Sequence, residues 1–351
     1  MTAELAALLA QDGIANGAIY VLAALGIVLV FLVTRVIFVP FGDLVACTAL
    51  TLATLEERRL PGTLWLVPAL AVLAFAFEAV TLWRAGAAAR LPRAALAWLA
   101  LPVLPVVATL AATRWDLPDG VLVALTVALV LPLGPLLHRV VFRPIADAPV
   151  LVLLIVAVAL HFALSGLMLI AFGPEGMRPR LLLGGAVEIG GLVFTGQMLL
   201  MLGTSAAMSL LLWLFFEHTM PGRALRATAV NRVGARLMGI RPAGTGAVAF
   251  LLAAGLAGVA GVLIGPINTL AYESGFIIGL KAFVGAIIGG LASYPGAVAG
   301  ALFVGLLESF TAFWDSQLKE VVVFASLLPV LVLRSLLAGG GADENEAEEE
   351  L

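Results

Sequence analysis

Charge is scarce in this 351-residue chain: only 12% of its residues are Asp, Glu, Lys or Arg, and lysine occurs twice, at Lys281 and Lys319. A soluble domain carries about a quarter, so the polar coat is too thin for a water-soluble globular protein. The single Cys47 excludes an internal disulfide and any cysteine-based metal site. Catalytic signatures are also missing. No phosphate-binding Gly-x4-Gly-Lys-Ser/Thr loop, no His-Glu-x2-His and no Gly-x-Ser-x-Gly is present, so no cofactor, metal or ATP site of the chain's own is expected. Met1 to Asp12 hold two acids and no base, unlike the positive start of a cleaved signal peptide, so the first apolar segment is expected to be retained.

What fills the chain instead is apolar. Hydrophobic residues make up 62% of the sequence and the mean hydropathy is +1.14, which makes lipid the natural solvent. Uncharged stretches of spanning length run at 13–34, 36–55 (interrupted by Asp43), 60–77, 94–113, 120–137, 148–173, 189–216 and 242–272. A further run to residue 307 is cut at Ser293-Tyr294-Pro295-Gly296 and reads as two helices, and a last one covers 321–337. The fold class is therefore an all-α polytopic membrane protein with about 11 segments (range 9–11), some of them broken or re-entrant. One transmembrane domain is expected over 1–342, followed by an acidic, disordered tail at 343–351. That tail holds six of the 22 acids, and without it 19 bases face 16 acids, so the body is basic although the chain's net charge is −3.

Orientation follows from the arginines, which accumulate on the cytoplasmic side. Residues 222–242 carry Arg223, Arg226, Arg232, Arg236 and Arg241 with no acid. Alternating from that anchor places Arg84, Arg90, Arg93, Arg139 and Arg143 inside as well, the N-terminus outside and the C-terminus in the cytoplasm.

Three segments ask for a role. Residues 219–241 alternate arginines with Leu225, Ala229, Val233, Leu237 and Ile240, which reads as a short amphipathic helix against lipid headgroups or a partner. Gly261 and Gly265, Gly285 and Gly289, and Gly296 and Gly300 are small-xxx-small pairs that let helix backbones approach in lipid. Lys281, in an apolar context, is either an anchor near a helix end or a pathway or gating residue. In Val39-Pro40-Phe41-Gly42-Asp43, Pro and Gly break a helix, and Asp43 either caps the next one or meets a substrate. His161, inside the sixth stretch, is either a hydrogen-bonded packing residue or a substrate contact.

These blocks resemble the shorter permease type of bacterial ABC importers for branched-chain amino acids. The resemblance rests on Asn16-Gly-Ala-Ile-Tyr20 with Ala24-Leu-Gly26, on the Phe41-Gly-Asp43 break and on Arg139-Val-Val-Phe-Arg-Pro144. It is strongest in Gly222-Arg-Ala-Leu-Arg-Ala227, Met238-Gly-Ile240, and Gly279-Leu-Lys-Ala-Phe283 through Gly289-Gly290, Ser293 and Pro295-Gly-Ala297. It implies that 219–241 is a coupling helix docking into a cytoplasmic ATPase, with Gly222, Arg223, Arg226, Arg236, Leu237 and Gly239 on the docking surface. It also implies pairing with a second, homologous permease subunit, delivery by an extracytoplasmic substrate-binding protein, and a pathway or gate near Phe41, Gly42, Asp43 and Lys281. Residues 56–137 hold three spans where the family usually needs one, which implies an inserted helical hairpin, placed at 60–77 and 94–113.

An importer subunit for branched-chain or related amino acids in the bacterial inner membrane is the favoured function, with the amino acid and membrane lipid as its ligands and no nucleic acid. The alternative is an ion-coupled secondary transporter, which needs an intramembrane acid to hold the ion. Asp43, Glu78 and Glu308 are its candidates. A membrane enzyme is the third reading and lacks a catalytic constellation.

Overall fold

A computed structural model describes residues 3–339 apart from 114, 116, 190 and 292; the acidic tail lies outside the described residues. The chain opens with α1 (Ala3–Thr34), the short α2 (Phe41–Glu56) and α3 (Thr63–Arg84). Next come α4 (Ala88–Ala112), α5 (Asp119–Ile145) and α6 (Val150–Phe172). A small hairpin of β1 (Ala186–Ile189) and β2 (Leu192–Thr195) leads into α7 (Gly196–His218). Helices α8 (Met220–Val230) and α9 (Arg232–Leu237) precede α10 (Pro242–Ile264). The chain closes with α11 (Ser274–Gly289), α12 (Tyr294–Trp314), α13 (Lys319–Ala325) and α14 (Leu327–Gly339).

Eight of the described helices, α1, α3, α4, α5, α6, α7, α10 and α12, are long and apolar enough to cross a bilayer. The three other apolar segments legible in the sequence fall on α2, α11 and α14. With 16 residues each, α2 and α11 rise only about 24 Å, short of a hydrocarbon layer of about 30 Å. Enclosure compensates for α2: every residue from Phe41 to Leu55 is buried, and so are Phe38, Val39 and Pro40 at the break just before it, as irregular backbone at membrane depth requires. The segment at 189–216 is shorter than its hydropathy suggests. Val187 pairs with Phe194 across the hairpin, Gly191 turns at φ +83°, and α7 starts only where the Thr195 hydroxyl accepts from the Met198 amide.

Helix α1 is the axis of the bundle, buried at every position from Gly17 to Val30. Helix α12 runs antiparallel along it, with Gly13 against Leu306 and Gly17 against Leu302. The outer helices α6 and α7 present Ile155, Phe162, Ile170, Leu210 and Trp213 outward, as a lipid-facing surface requires. Prolines perturb two helices. Pro102 and Pro105 remove donors from α4, whose ladder widens to a π-turn over Leu96–Ala100. A second π-turn, His138–Phe142, sits in α5 just before Pro144.

Loops gather at two opposite ends. At one, Gln11 donates to the Val193 carbonyl, Ser309 donates to the Leu9 carbonyl, and Met177 pairs with Leu270. The Arg180 amide donates to Glu56 on the same end. At the other end Gly246 packs against His138 and Thr34. This grouping is the one expected if the segments, short ones included, alternate in direction.

The α3–α4 hairpin lies at the periphery and is fastened to the bundle by charge. Glu78 accepts from Arg139 Nε at 2.6 Å and from Arg143 Nη1 at 2.9 Å, and Arg139 also donates to the Thr81 hydroxyl. Arg139 is buried, so it cannot lose its partner cheaply. Glu78→Ala should destabilise the protein by about 3 kcal/mol, whereas Glu78→Leu with Arg139→Leu should recover most of that loss. Thermal unfolding in lipid nanodiscs, followed by tryptophan fluorescence, measures both.

Candidate functional site

The break before α2 and the start of α11 meet at backbone contact. A Cβ on Gly42 would overlap the Gly275 carbonyl and crowd the Gly279 amide, and one on Gly279 would meet the Val39 carbonyl. No residue larger than glycine fits this crossing. Phe41, fully buried, lays its ring against Gly26 of α1. Three of the four residues expected at the pathway, Phe41, Gly42 and Asp43, thus sit together against α11, the helix that carries the fourth, Lys281.

Asp43 does not cap α2, because no side-chain capping bond forms there. Its carboxylate turns to His161 of α6 instead, with Nδ1 at 2.9 Å from both oxygens, and both residues are buried. The imidazole also stacks on Phe276 of α11, with ring centroids 4.6 Å apart. One residue pair therefore joins α2, α6 and α11.

Lys281 is not near a helix end. It occupies the middle of α11, and its Nζ donates to Glu308 Oε1 at 2.6 Å. The other oxygen of Glu308 accepts from the Tyr20 hydroxyl at 2.6 Å. All three residues are buried, and Glu320 of α13 stands 3.7 Å from Nζ. The triad ties α11 and α12 to the axial helix. Neither partner was legible in the sequence: Glu308 stood there only as a candidate acid for ion coupling, and Tyr20 only as part of the Asn16 to Tyr20 block.

The small-residue pairs are where helices touch. A Cβ on Gly261 would overlap the Val45 carbonyl of α2, and Gly265 lies against Ala49 and Pro179. Gly285 packs on Ala301, Gly300 on the Gly285 carbonyl, and Gly289 and Gly296 on each other's carbonyls, closing α11 onto α12.

The amphipathic segment is two helices and not one. Thr219 caps α8 by accepting from the Gly222 amide, and Asn231 interrupts the helix and caps α9 by accepting from the Gly234 amide at 2.8 Å. Gly239, at φ +82°, ends α9 with its amide donating to Arg236 and that of Ile240 to Ala235, a Schellman close. Breaking the helix shifts its faces: Leu225, Thr228 and Ala235 are buried, while Val230, Val233, Leu237 and Met238 are exposed. Gly222 belongs to the buried side, where any Cβ would overlap the Phe215 carbonyl, so it packs α8 on α7 and offers no docking surface. Arg223, Arg226, Arg236 and Leu237 do face outward. Arg226 donates to Glu217 at 3.0 Å, and with Arg223 it rims an open concavity floored by Ala227, Val230, Ala235 and Met238.

A bundle of apolar helices with charge pairs inside and a basic, apolar elbow at one end is the build of a polytopic membrane protein. The family model described as the permease component of branched-chain amino acid transport systems matches residues 9–331, and the chain belongs to that family. Among curated relatives it is 32% identical over 205 residues to the high-affinity branched-chain amino acid transport system permease protein LivH of Salmonella typhimurium. LivH of Escherichia coli K12 is 31% identical over the same length, and BraD of Pseudomonas aeruginosa is 32% identical over 208 residues. These alignments take in 56–57% of this chain and 66–68% of the relatives' own length. No solved structure matches the chain.

Residues sharing one buried network couple energetically. A double-mutant cycle of Lys281→Met and Glu308→Leu should return an interaction energy of about 1–3 kcal/mol, and Tyr20→Phe alone should cost about 1 kcal/mol. Thermal unfolding of the four proteins of the cycle and of Tyr20→Phe measures these terms.

Proposed function

We propose that this chain is one membrane-spanning half of an ATP-driven importer for branched-chain or related amino acids. The observation that carries the reading is the family match across residues 9–331, and the exposed elbow of α8 and α9 supports it. In this reading the protein is an integral inner-membrane protein that performs no catalysis. Its partners are a second, homologous permease, cytoplasmic ABC ATPase subunits that hydrolyse ATP, and an extracytoplasmic binding protein that delivers the substrate. The arginine-rich end faces the cytoplasm, which puts the β-hairpin end and the N-terminus outside.

Mechanically, the ATPase grips the elbow through Leu237, Met238 and Val233, with Arg223, Arg226 and Arg236 meeting acids on its surface. Closure of the ATPase dimer on ATP displaces α8, whose buried Leu225 and Gly222 transmit the push to α7. The bundle then exchanges outward and inward access, driven by different affinities of ATP and substrate for the two states. The hairpin α3–α4 is the surplus over the family pattern, an insertion at the rim that leaves the central helices undisturbed.

Ion coupling is disfavoured by the pairing of every candidate acid. Asp43 is held by His161, Glu78 by Arg139 and Arg143, and Glu308 by Lys281 and Tyr20. To hold a cation, each acid would have to give up a buried partner, at a cost.

The docking test is to introduce Arg226→Glu and Leu237→Glu together and to co-purify the permease with its ATPase. Recovery of the ATPase should fall at least about tenfold, and substrate-stimulated ATP hydrolysis with it, while the unfolding temperature of the permease is retained. Intact complex formation and hydrolysis would show that the elbow is not the docking surface.

A further inference from the structure

The turn between α3 and α4 is basic and short of acids. Helix α3 closes with the Gly86 amide donating to the Trp83 carbonyl and the Ala87 amide to the Leu82 carbonyl, with Gly86 at φ +65°. This tight reversal folds the start of α4 back against the end of α3. It gathers Arg84, Arg90 and Arg93, all exposed, and no acid occurs in the sequence between Glu78 and Asp116.

Among the described residues no acid or acceptor is paired with the side chain of Arg84, Arg90 or Arg93. The neighbouring arginines of α5 are already engaged, for Arg139 and Arg143 share Glu78. Taking the ends of α3, α4 and α5 together, five arginines stand against Glu78 and Asp147. No side chain caps the start of α4, so the partial positive charge of a helix N-terminus adds to theirs. Trp83, beside Arg84, is 77% exposed, as a tryptophan at headgroup level is.

From this basic tip an open groove of about 480 Å³ runs down α4, lined by Pro92, Ala95, Leu96, Leu99, Ala100 and Val103. These residues recur every three or four positions and form one stripe along the helix. Between Pro92 and Val103 the stripe descends about 16 Å, close to the depth of one leaflet, about half of a 30 Å hydrocarbon layer. The groove coincides with the π-turn over Leu96–Ala100, and every group lining it is apolar. Its upper end, Pro92, adjoins Arg93. Cations at the mouth of an apolar groove one leaflet deep match a molecule with an anionic head and a hydrocarbon chain.

We propose that the tip of the α3–α4 hairpin binds an anionic phospholipid, its phosphate held by Arg84, Arg90 and Arg93 and one acyl chain laid in the α4 groove. Guanidinium groups suit this role because their planar forks donate to two phosphate oxygens at once. A zwitterionic headgroup offsets its own phosphate charge, so a lipid with net negative charge is preferred. The hairpin is then held on two sides, by Glu78 against the bundle and by lipid at its outer face. The site requires only that the bundle lies in a bilayer, so it stands independently of the importer reading.

The test is native mass spectrometry of the full chain, delipidated in detergent and titrated with phosphatidylglycerol or with phosphatidylcholine of the same chain length, reading the Kd of the first lipid bound. Phosphatidylglycerol should bind at least about tenfold more tightly than phosphatidylcholine. Arg90→Gln with Arg93→Gln should weaken phosphatidylglycerol at least about tenfold and phosphatidylcholine less than about twofold. Arg35→Gln with Arg241→Gln removes two exposed arginines from the same end of the bundle and should leave both lipids within about twofold. Ala100→Phe, or the smaller Ala100→Leu, fills the groove without touching charge and should weaken phosphatidylglycerol at least about threefold. Equal affinity for the two lipids overturns the proposal. Equal losses in the two arginine pairs do so as well, because they show general attraction to a basic surface. Phosphatidylglycerol binding that both Ala100 variants leave unchanged removes the acyl chain from the groove and overturns the site as described. Leu96→Cys carrying a photoreactive label, in the chain purified with its natural partners, should capture lipid. Capture of another protein subunit instead assigns the groove to a protein and ends the lipid reading.

Discussion

Hydrocarbon solvates no ion, so each charged side chain inside the bundle is answered by one from another part of the chain. Asp43 finds His161 118 residues away, Glu78 finds Arg139 61 residues away, and Lys281 finds Glu308, which also receives Tyr20 from 288 residues away. Ordinary apolar contacts do not dictate which helix lies beside which, because in lipid one leucine face serves as well as another. The ion pairs do. Each one is satisfied by a single arrangement, and together they fix α2 against α6, α3 against α5, and α11 against α12 and α1.

Glycine makes the rest of the packing possible. Helices in lipid gain little from hiding apolar surface, so close backbone contact and dispersion must hold them together. The crossing of α2 and α11 at Gly42, Gly275 and Gly279 and the seam of α11 and α12 at Gly285, Gly289, Gly296 and Gly300 are both of this kind. They allow two helices too short to span the membrane to be enclosed by those that do. The charge pairs select partners and the glycines bring them within reach.

Much of this was legible in the sequence. Hydropathy located every apolar segment, because a run of uncharged residues is a local property, and the arginine clusters grouped the loops on two ends as the contacts later do. The breaks at Pro40 and at Ser293 to Gly296 were also visible, since Pro and Gly act on their own neighbourhood. Pairing was not. Asp43 looked like a cap because a carboxylate at a helix start is usually one, and nothing nearby in sequence announces His161. The elbow at Asn231 was hidden for a different reason: 219–241 has an acceptable helical pattern throughout, and only the capping bond to Gly234 breaks it.

The bond between Glu78 and Arg139 also orders events in time. A ribosome adding about 5–20 residues per second delivers the arginine roughly 3–12 s after the glutamate, given the 61 residues between them. Through that interval α3 carries a carboxylate in its final two turns with no guanidinium to meet it. The helix can enter the membrane early, yet it reaches its permanent seat only when α5 emerges beside it. Insertion of the peripheral hairpin is thereby tied to the appearance of a later helix, and an interrupted chain ending before residue 139 leaves α3 without its lock.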